Sequence, residues 1–291
     1  MDRILFGDNQ FFGINHMSDD LARKQSMQFQ SDEAILAMLE GVLREGIEVL
    51  MCTTHERIGA ICEAVRQQPG RFAHLKMYPC MPYAHKYANA VSELGMIEAV
   101  KGFLPADAPF LAAVKNGVAV ARKDVDVLVR GLIDAEMKMF NGIPTPVIFL
   151  QNVVTDLALG LGFHGALRTF HDHVRHAYGA EPGFITMNLP LLLEALDAVG
   201  IDNPIVCANL NKIGFRMCGG IPAYEEVVAS RRFRAVAMSV FASGAIAPSE
   251  AIEYVCSQER IESIVFGASS LRNVRHTKEL IDRYSQRAAA V

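Results

Sequence analysis

Short aliphatic runs alternate with longer segments of helical period along nearly the whole chain. This alternation is typical of βα units, which build a parallel sheet covered by helices. Eight strands favour a (β/α)8 TIM barrel, a fold that takes about 250 residues as one domain. We therefore interpret residues 1–291 as a single barrel domain. The runs with the length and composition of strands are 4–7, 47–51, 74–78, 146–150, 183–187, 204–208, 234–239 and 261–266.

The helical segments carry start and stop signals. One begins near Asp32, directly after Ser31 as a candidate N-cap, and Gly46 ends it. The stretch of about 83–141 is too long for a single crossover between strands three and four. We predict that it is a helical insertion after strand three, packed over the mouth or the flank of the barrel. Its clearest apolar stripe consists of Val125, Leu128, Val129, Leu132 and Ile133.

Small polar clusters follow most of the predicted strands. His55 comes after strand two, Gln151 after strand four, Asn188 after strand five and Lys212 after strand six. Barrel enzymes build their active sites from the loops at the carboxyl ends of the strands. The pattern predicts an active or binding site at that end, which takes a small molecule as its substrate.

Composition narrows the class of protein. Hydrophobic residues make up 51% of the chain, which suits a large core, and the formal net charge is −4. The scattered basic residues provide no electrostatic footprint for nucleic acid or an anionic membrane. No apolar run reaches the roughly 20 residues of a membrane span, and the amino terminus lacks the features of a signal peptide. The six cysteines form no Cys-x-x-Cys pair. We expect a cytoplasmic protein with reduced cysteines.

The carboxyl-terminal half carries several short motifs in a fixed order. The segment 239–244 reads Ser-Val-Phe-Ala-Ser-Gly, 248–251 reads Pro-Ser-Glu-Ala, and 264–270 closes strand eight on Gly-Ala-Ser-Ser. In this order and spacing the chain resembles the aldo-keto reductases. The resemblance covers about 183–281 well and the region of strands two and three weakly.

The resemblance implies a cofactor, NADP(H), held by the last two loops. Independently of any family, glycines and the amide groups at a helix start favour phosphate, and barrels often place a phosphate between the loops after strands seven and eight. The residues that we expect to bind the cofactor are Asn188, Ser243, Gly244, Gly267, Ser269, Ser270 and Asn273.

The catalytic residues that the resemblance implies are mostly replaced. The family uses a tyrosine acid tuned by an aspartate and a lysine, with a histidine that orients the carbonyl. Here only Lys76 matches, His55 stands in the region that holds the aspartate and tyrosine, and Gln151 replaces the histidine. We expect an aldo-keto-reductase-like enzyme for a small carbonyl compound, with Lys76 and His55 near the reacting oxygen and Gln151 and Asn188 orienting it.

Two alternatives come from other classes. In a Schiff-base lyase or aldolase, the amine of Lys76 or Lys212 would attack a phosphorylated carbonyl substrate. A non-catalytic or metal-dependent barrel is the other alternative. No dense ligand motif supports a metal, so we predict none. The candidate ligands for a metal such as zinc are Asp8, His16, His55, Glu56, Cys80 and His85.

Overall fold

The computed structural model describes residues 1–14, 18–83, 122–258 and 260–289. Within these ranges eight parallel strands pair in chain order and close into a barrel, since β8 also pairs with β1. The predicted TIM barrel is thereby confirmed. The strands are β1 (Ile4–Gly7), β2 (Val49–Thr53), β3 (Lys76–Met81), β4 (Val147–Leu150), β5 (Glu181–Thr186), β6 (Ile205–Asn209), β7 (Arg234–Met238) and β8 (Ile261–Phe266).

Helices alternate with the strands on the outside of the barrel. The helix predicted near Asp32 begins there, because the Ser31 side chain accepts a hydrogen bond from the amide of Ala34 at 3.2 Å. The helices are α1 (Asp19–Gln28), α2 (Asp32–Arg44), α3 (Glu56–Gln67), α4 (Arg122–Met137), α5 (Asn152–Gly160), α6 (His164–Tyr178), α7 (Leu189–Ala198), α8 (Gly220–Ser230), α9 (Pro248–Cys256) and α10 (Leu271–Ala289).

Of the predicted insertion after strand three, residues 84–121 lie outside the described residues. Its apolar stripe falls on α4, which packs against α6 on the flank of the barrel. In the part of the chain that the structure describes, no helix is both long and apolar enough to cross a membrane.

Two strands lie two residues later in the chain than the hydrophobic pattern predicts. Strand β2 begins at Val49 and β3 begins at Lys76, and Val49 pairs with Lys76 in the ladder. The pattern misplaced both ends because Cys52 and Thr53 are polar enough to read as a loop, although they pair with Pro79 and Cys80. As a consequence Lys76 is the first residue of its strand, at the amino-terminal end of the barrel.

The barrel interior is filled by side chains, and the helices cover its outer face through a second, larger apolar layer. Gly183 makes room inside, since a Cβ atom there would lie 2.4 Å from the ring of Phe149. Side chains alternate along a strand, so Thr53, Gln151 and Asn209 continue the inward series toward the mouth. The interior residues are Leu5, Val49, Met51, Tyr78, Cys80, Val147, Phe149, Ile185, Ile205, Cys207 and Val236.

Ion pairs close the amino-terminal end of the barrel. The Lys76 ammonium lies 2.8 Å from Asp2 and 3.1 Å from Glu48. On the opposite side Arg234 lies 2.9 Å from Glu262, and the Met1 ammonium also contacts Glu262 at 3.1 Å. With this end closed by charged pairs, the carboxyl-terminal end is where a barrel site belongs.

Candidate active site at the carboxyl-terminal mouth

A buried carboxyl group, Asp8, lies directly after β1. Only 5% of Asp8 is exposed, and its Oδ2 atom accepts hydrogen bonds from the Thr53 amide at 2.7 Å and the Thr53 hydroxyl at 2.9 Å. Burial raises the pKa of Asp8 to about 6, although the bonds from Thr53 act in the opposite direction. A carboxyl group with that pKa exchanges its proton near neutral pH, as a general acid or base must.

His55 follows β2 and caps the start of α3. Its Nδ1 atom accepts a hydrogen bond from the amide of Arg57 at 3.0 Å, so a neutral His55 carries its proton on Nε2. Partial burial lowers the pKa of the imidazole and favours this neutral form. The ring packs against Phe12, at a centroid distance of 4.6 Å, and against Tyr83, at 5.6 Å. His55 therefore offers an N–H donor from a fixed ring.

Tyr83 follows β3 and is half-buried. Burial, and secondarily the charge of Asp8, raise the pKa of its phenol, which stays protonated at neutral pH. Its backbone amide donates to both carboxylate oxygens of Glu136, at 3.2 and 3.1 Å. The phenol and the imidazole of His55 are thus two neighbouring groups that can donate a hydrogen bond.

Two side-chain amides lie at the ends of other strands. Gln151 directly precedes α5 and is 9% exposed. Asn209 ends β6, is fully buried, and donates through Nδ2 to the carbonyl of Arg216 at 2.8 Å, while its Oδ1 atom has no partner among the described residues. A buried oxygen without a donor costs about 1–3 kcal/mol, so Asn209 is held in place at some expense of stability.

The expectation that Lys76 lies near the reacting oxygen is wrong. Lys76 lies at the closed end of the barrel, where the hydrogen bond to Asp2 raises its pKa. It cannot meet His55 at the mouth, because β3 separates the two ends. A lysine held in its charged form is also unsuited to Schiff-base formation, which needs a free amine.

Lys212 does follow β6 as predicted, but it is half exposed. Its ammonium lies 2.6 Å from the carboxylate of Glu250. An amine held in a salt bridge is not free to attack a carbonyl carbon. Both lysines of the lyase alternative are therefore in salt bridges.

The turn after β7 contains the predicted residues Ser243 and Gly244. Both have positive φ, at 58° and 96°, and Ala242 beside them has φ 45°. Non-glycine residues in this region are strained, and such strain concentrates at ligand-binding and catalytic sites. The space around a Cβ atom at Gly244 is open to 4 Å.

The loop after β8 is more occupied than predicted. A Cβ atom at Gly267 would lie 2.3 Å from Oε1 of Gln10, whose Nε2 donates to the carbonyl of Gly7 at 2.6 Å. The carbonyl of Ser269 accepts a hydrogen bond from Gln28 at 2.5 Å. Side chains from the segment after β1 thus fill the space beside Gly267.

The remaining residues predicted to bind the cofactor act at helix ends or at the surface. Ser270 accepts a hydrogen bond from the amide of Asn273 at 3.3 Å at the start of α10, and Asn273 itself is exposed. Asn188 accepts from the amide of Leu191 at 3.3 Å and caps α7. The side-chain amide of Asn188 is therefore engaged in capping α7.

Among the residues that the structure describes, no three His, Cys, Asp or Glu side chains come together to hold a metal ion. His16 and His85, two of the ligands considered for a metal-dependent barrel, lie outside the described residues.

A cavity of about 280 Å³ lies at the other end of the barrel, beside the amino ends of β5 and β6. Its charged side chains largely compensate one another. Arg234 pairs with Glu181, and Arg232, just outside the cavity, lies 3.9 Å from Asp202 in its wall. Since it lies away from the loops that hold Asp8 and His55, we do not assign the active site there.

Sequence reasoning missed part of this arrangement. It named Asp8 only as a metal ligand, and it singled out neither Tyr83 nor Glu136. The position of Asp8 directly after a strand was the available signal. Nothing local could show its burial or its bond to Thr53, because the two residues are 45 positions apart.

Comparison with known proteins bears on the fold. No protein-family model matches the sequence, and no curated protein matches it. A Pseudomonas aeruginosa protein assigned as an aldo-keto reductase is similar in structure, with a TM-score of 0.60 and 14% identity over 98% of this chain and 91% of that one. An aldo-keto reductase from a Medee basin deep-sea metagenome has a TM-score of 0.55 and 9% identity, over 98% and 91% of the two chains.

An aldo-keto reductase from Brucella melitensis is also similar, with a TM-score of 0.51 and 10% identity over 96% of this chain and 88% of that one. These similarities span nearly the whole barrel. The chain has the fold of the aldo-keto reductases, and the resemblance stated from its sequence is confirmed at that level.

Proposed function

We propose that this protein is an enzyme that acts on a small carbonyl compound at the carboxyl-terminal mouth of the barrel, with Asp8 as the group that transfers a proton. The observation that carries the proposal is the buried Asp8 carboxyl with a pKa of about 6, tied to Thr53. A carboxyl group with a pKa near neutral can both take up and release a proton at working pH, which suits a general acid or base.

The neighbouring groups have complementary roles. The Nε2–H of His55 and the phenol of Tyr83 are the donors that would polarise a carbonyl oxygen. Asp8 would take a proton from the substrate or return one to it. Gln151, at the end of the neighbouring strand β4, would orient the polar part of the substrate.

Cofactor binding is part of the proposal only for the phosphate end. Ser243, Gly244, Ser270 and Asn273 would hold the phosphates of NADP(H), which supplies hydride when it is bound. The rest of the dinucleotide is not part of the proposal, for two reasons. Asn188 is engaged in capping α7, and the Gln10 side chain occupies the space beside Gly267. Titration with NADPH, followed by its fluorescence, tests this part separately.

The proposed location is the cytoplasm and the proposed partner is the small-molecule substrate. Support for the location comes from the cysteines. All six are free, and five of them are buried.

The central test is Asp8→Asn, which keeps the shape and removes the titrating group. We expect turnover of small aldehydes and ketones, assayed with and without NADPH, to fall by about 100-fold or more. Asp202→Asn is the matched control, since Asp202 is exposed and distant from the mouth. If Asp8→Asn retains the turnover of the unaltered protein, Asp8 is not the proton-transfer group.

A further inference from the structure

Glu136 is a buried carboxylate that the proposed chemistry does not use. It lies near the end of α4 and is 3% exposed. Both of its oxygens accept from the amide of Tyr83, and Oε2 also accepts from the hydroxyl of Thr54, which is itself fully buried. Taking a carboxylate out of water is costly unless hydrogen bonds satisfy it, so these contacts define where Glu136 lies.

The two partners of Glu136 lie just after two neighbouring strands. Thr54 follows the last residue of β2, and Tyr83 lies two residues after the end of β3. Thr54 directly precedes His55, while the ring of Tyr83 packs edge-on against the His55 imidazole at 5.6 Å. One carboxylate therefore fixes the chain on both sides of the His55–Tyr83 pair.

The contact with Tyr83 goes through its backbone, and the contact with Thr54 goes through its side chain. The first sets where the chain leaves β3, and the second sets where it leaves β2. If both were lost, the two strand ends could separate while the barrel ladder below them remained intact. The spacing of the two rings is the quantity that would change.

We propose that Glu136 is the positioning residue of this site: by binding Tyr83 and Thr54 together, it keeps the imidazole of His55 packed against the rings of Phe12 and Tyr83. The catalytic meaning of this role rests on the function proposed above, but the ring arrangement can be measured without any substrate. Misplacing a reacting group by about 1 Å can cost on the order of 100-fold in rate.

The test uses the full-length protein with histidines labelled with ¹³C in the ring. The His55 signal is identified by its loss in His55→Gln. Its chemical shift reports the ring currents of Phe12 and Tyr83. In Glu136→Ala we expect this signal to move, while the signal of His276, which is exposed on α10, stays in place. Glu194→Ala, at an exposed position on α7, is the matched control and should leave both signals unchanged.

Three conservative variants separate positioning from general loss of structure. Thr54→Val removes only the hydroxyl and should move the His55 signal, whereas Thr54→Ser keeps the hydroxyl and should restore it. Glu136→Gln keeps an acceptor for the Tyr83 amide and should give a smaller shift than Glu136→Ala.

An unchanged His55 signal in a folded Glu136→Ala protein overturns the proposal. If Glu136→Ala does not fold, an unchanged signal in both Thr54→Val and Glu136→Gln overturns it equally. The outcome is separable from that of the proposed function. A His55 signal that moves while Asp8→Asn retains full turnover supports the positioning role and refutes the assignment of Asp8.

Discussion

The carboxylate of Asp8 and the residue Thr53 are joined by two hydrogen bonds to one oxygen. The Thr53 amide and hydroxyl both donate to Oδ2, at 2.7 and 2.9 Å, and connect the end of β1 to the end of β2. Bonds of this kind favour the ionised carboxylate, yet burial outweighs them and the pKa rises to about 6. The pair therefore holds Asp8 in place without fixing it in one protonation state.

The same pairing of a carboxylate with a threonine occurs twice more, once again at the end of β2 and once at the end of β5. Glu136 accepts from the hydroxyl of Thr54, and Asp156 accepts from the hydroxyl of Thr186 at 2.5 Å. A threonine at the end of a barrel strand is close to the loops and helices that follow the neighbouring strands.

The raised pKa of Asp8 predicts a pH dependence of stability. The folded state favours the protonated carboxyl, so this stabilisation is fully present below the ordinary pKa of about 4 and is lost as the pH rises through about 6. Between pH 4.5 and 7.5 the unaltered protein should lose about 2 kcal/mol relative to Asp8→Asn, which cannot ionise.

Urea unfolding of both proteins at the two pH values measures this difference. Asp202→Asn, at an exposed position away from the mouth, serves as the control. If the two proteins differ in their free energy of unfolding by the same amount at both pH values, Asp8 is not desolvated in the folded state.

His55 has a structural and a proposed chemical role, and two variants separate them. His55→Ala removes the acceptor that caps α3, which should lower the free energy of unfolding by about 1 kcal/mol. His55→Asn supplies a good capping oxygen and should restore most of that stability, but it lacks the Nε2–H donor. We expect both variants to lose turnover, measured beside their urea unfolding. Full turnover in His55→Asn would assign His55 to capping alone.

The contact between Gly267 and Gln10 predicts a specific clash. In Gly267→Ala the new methyl group would lie 2.3 Å from Oε1 of Gln10, so the Gln10 side chain would have to give up its bond to Gly7. We expect a loss of about 1–3 kcal/mol in the free energy of unfolding. Gly70→Ala, which meets nothing within 4 Å, should be close to neutral.

The double variant Gln10→Ala with Gly267→Ala tests the cause of that loss. Its loss in the free energy of unfolding should be smaller than the sum of the losses in the two single variants, because the Gln10 side chain that the new methyl group would meet is absent. Strict additivity would show that the two residues do not touch.

The location of Lys76 predicts a variant that affects stability but not turnover. Lys76→Met breaks the ion pairs with Asp2 and Glu48 at the closed end of the barrel. Because the pairs are partly exposed, we expect a loss of about 1 kcal/mol or less, with turnover unchanged. Lys278→Met, which breaks an ion pair on α10, is the control. If the Lys76→Met protein folds but has no turnover, Lys76 is needed for the reaction and the assignment made here is wrong.

The sequence by itself determined the architecture and much of its local detail. The alternation of apolar runs and helical stripes predicted the eight-stranded barrel, and β1 and β8 begin and end at the predicted residues. The N-cap at Ser31 and the polar clusters at the mouth could also be predicted from the sequence. All of these depend on periodicity and on preferences that act within a few residues.

Only the tertiary structure decided which polar residues share a site. A shift of two residues in β3 places Lys76 at the closed end, where it pairs with Asp2, 74 positions earlier in the chain. The pKa of Asp8 depends on burial by surrounding segments, and the hydrogen bond from the Thr54 hydroxyl to Glu136 spans 82 positions. Such pairings follow from strand register and from desolvation by distant parts of the chain, neither of which leaves a local pattern in the sequence.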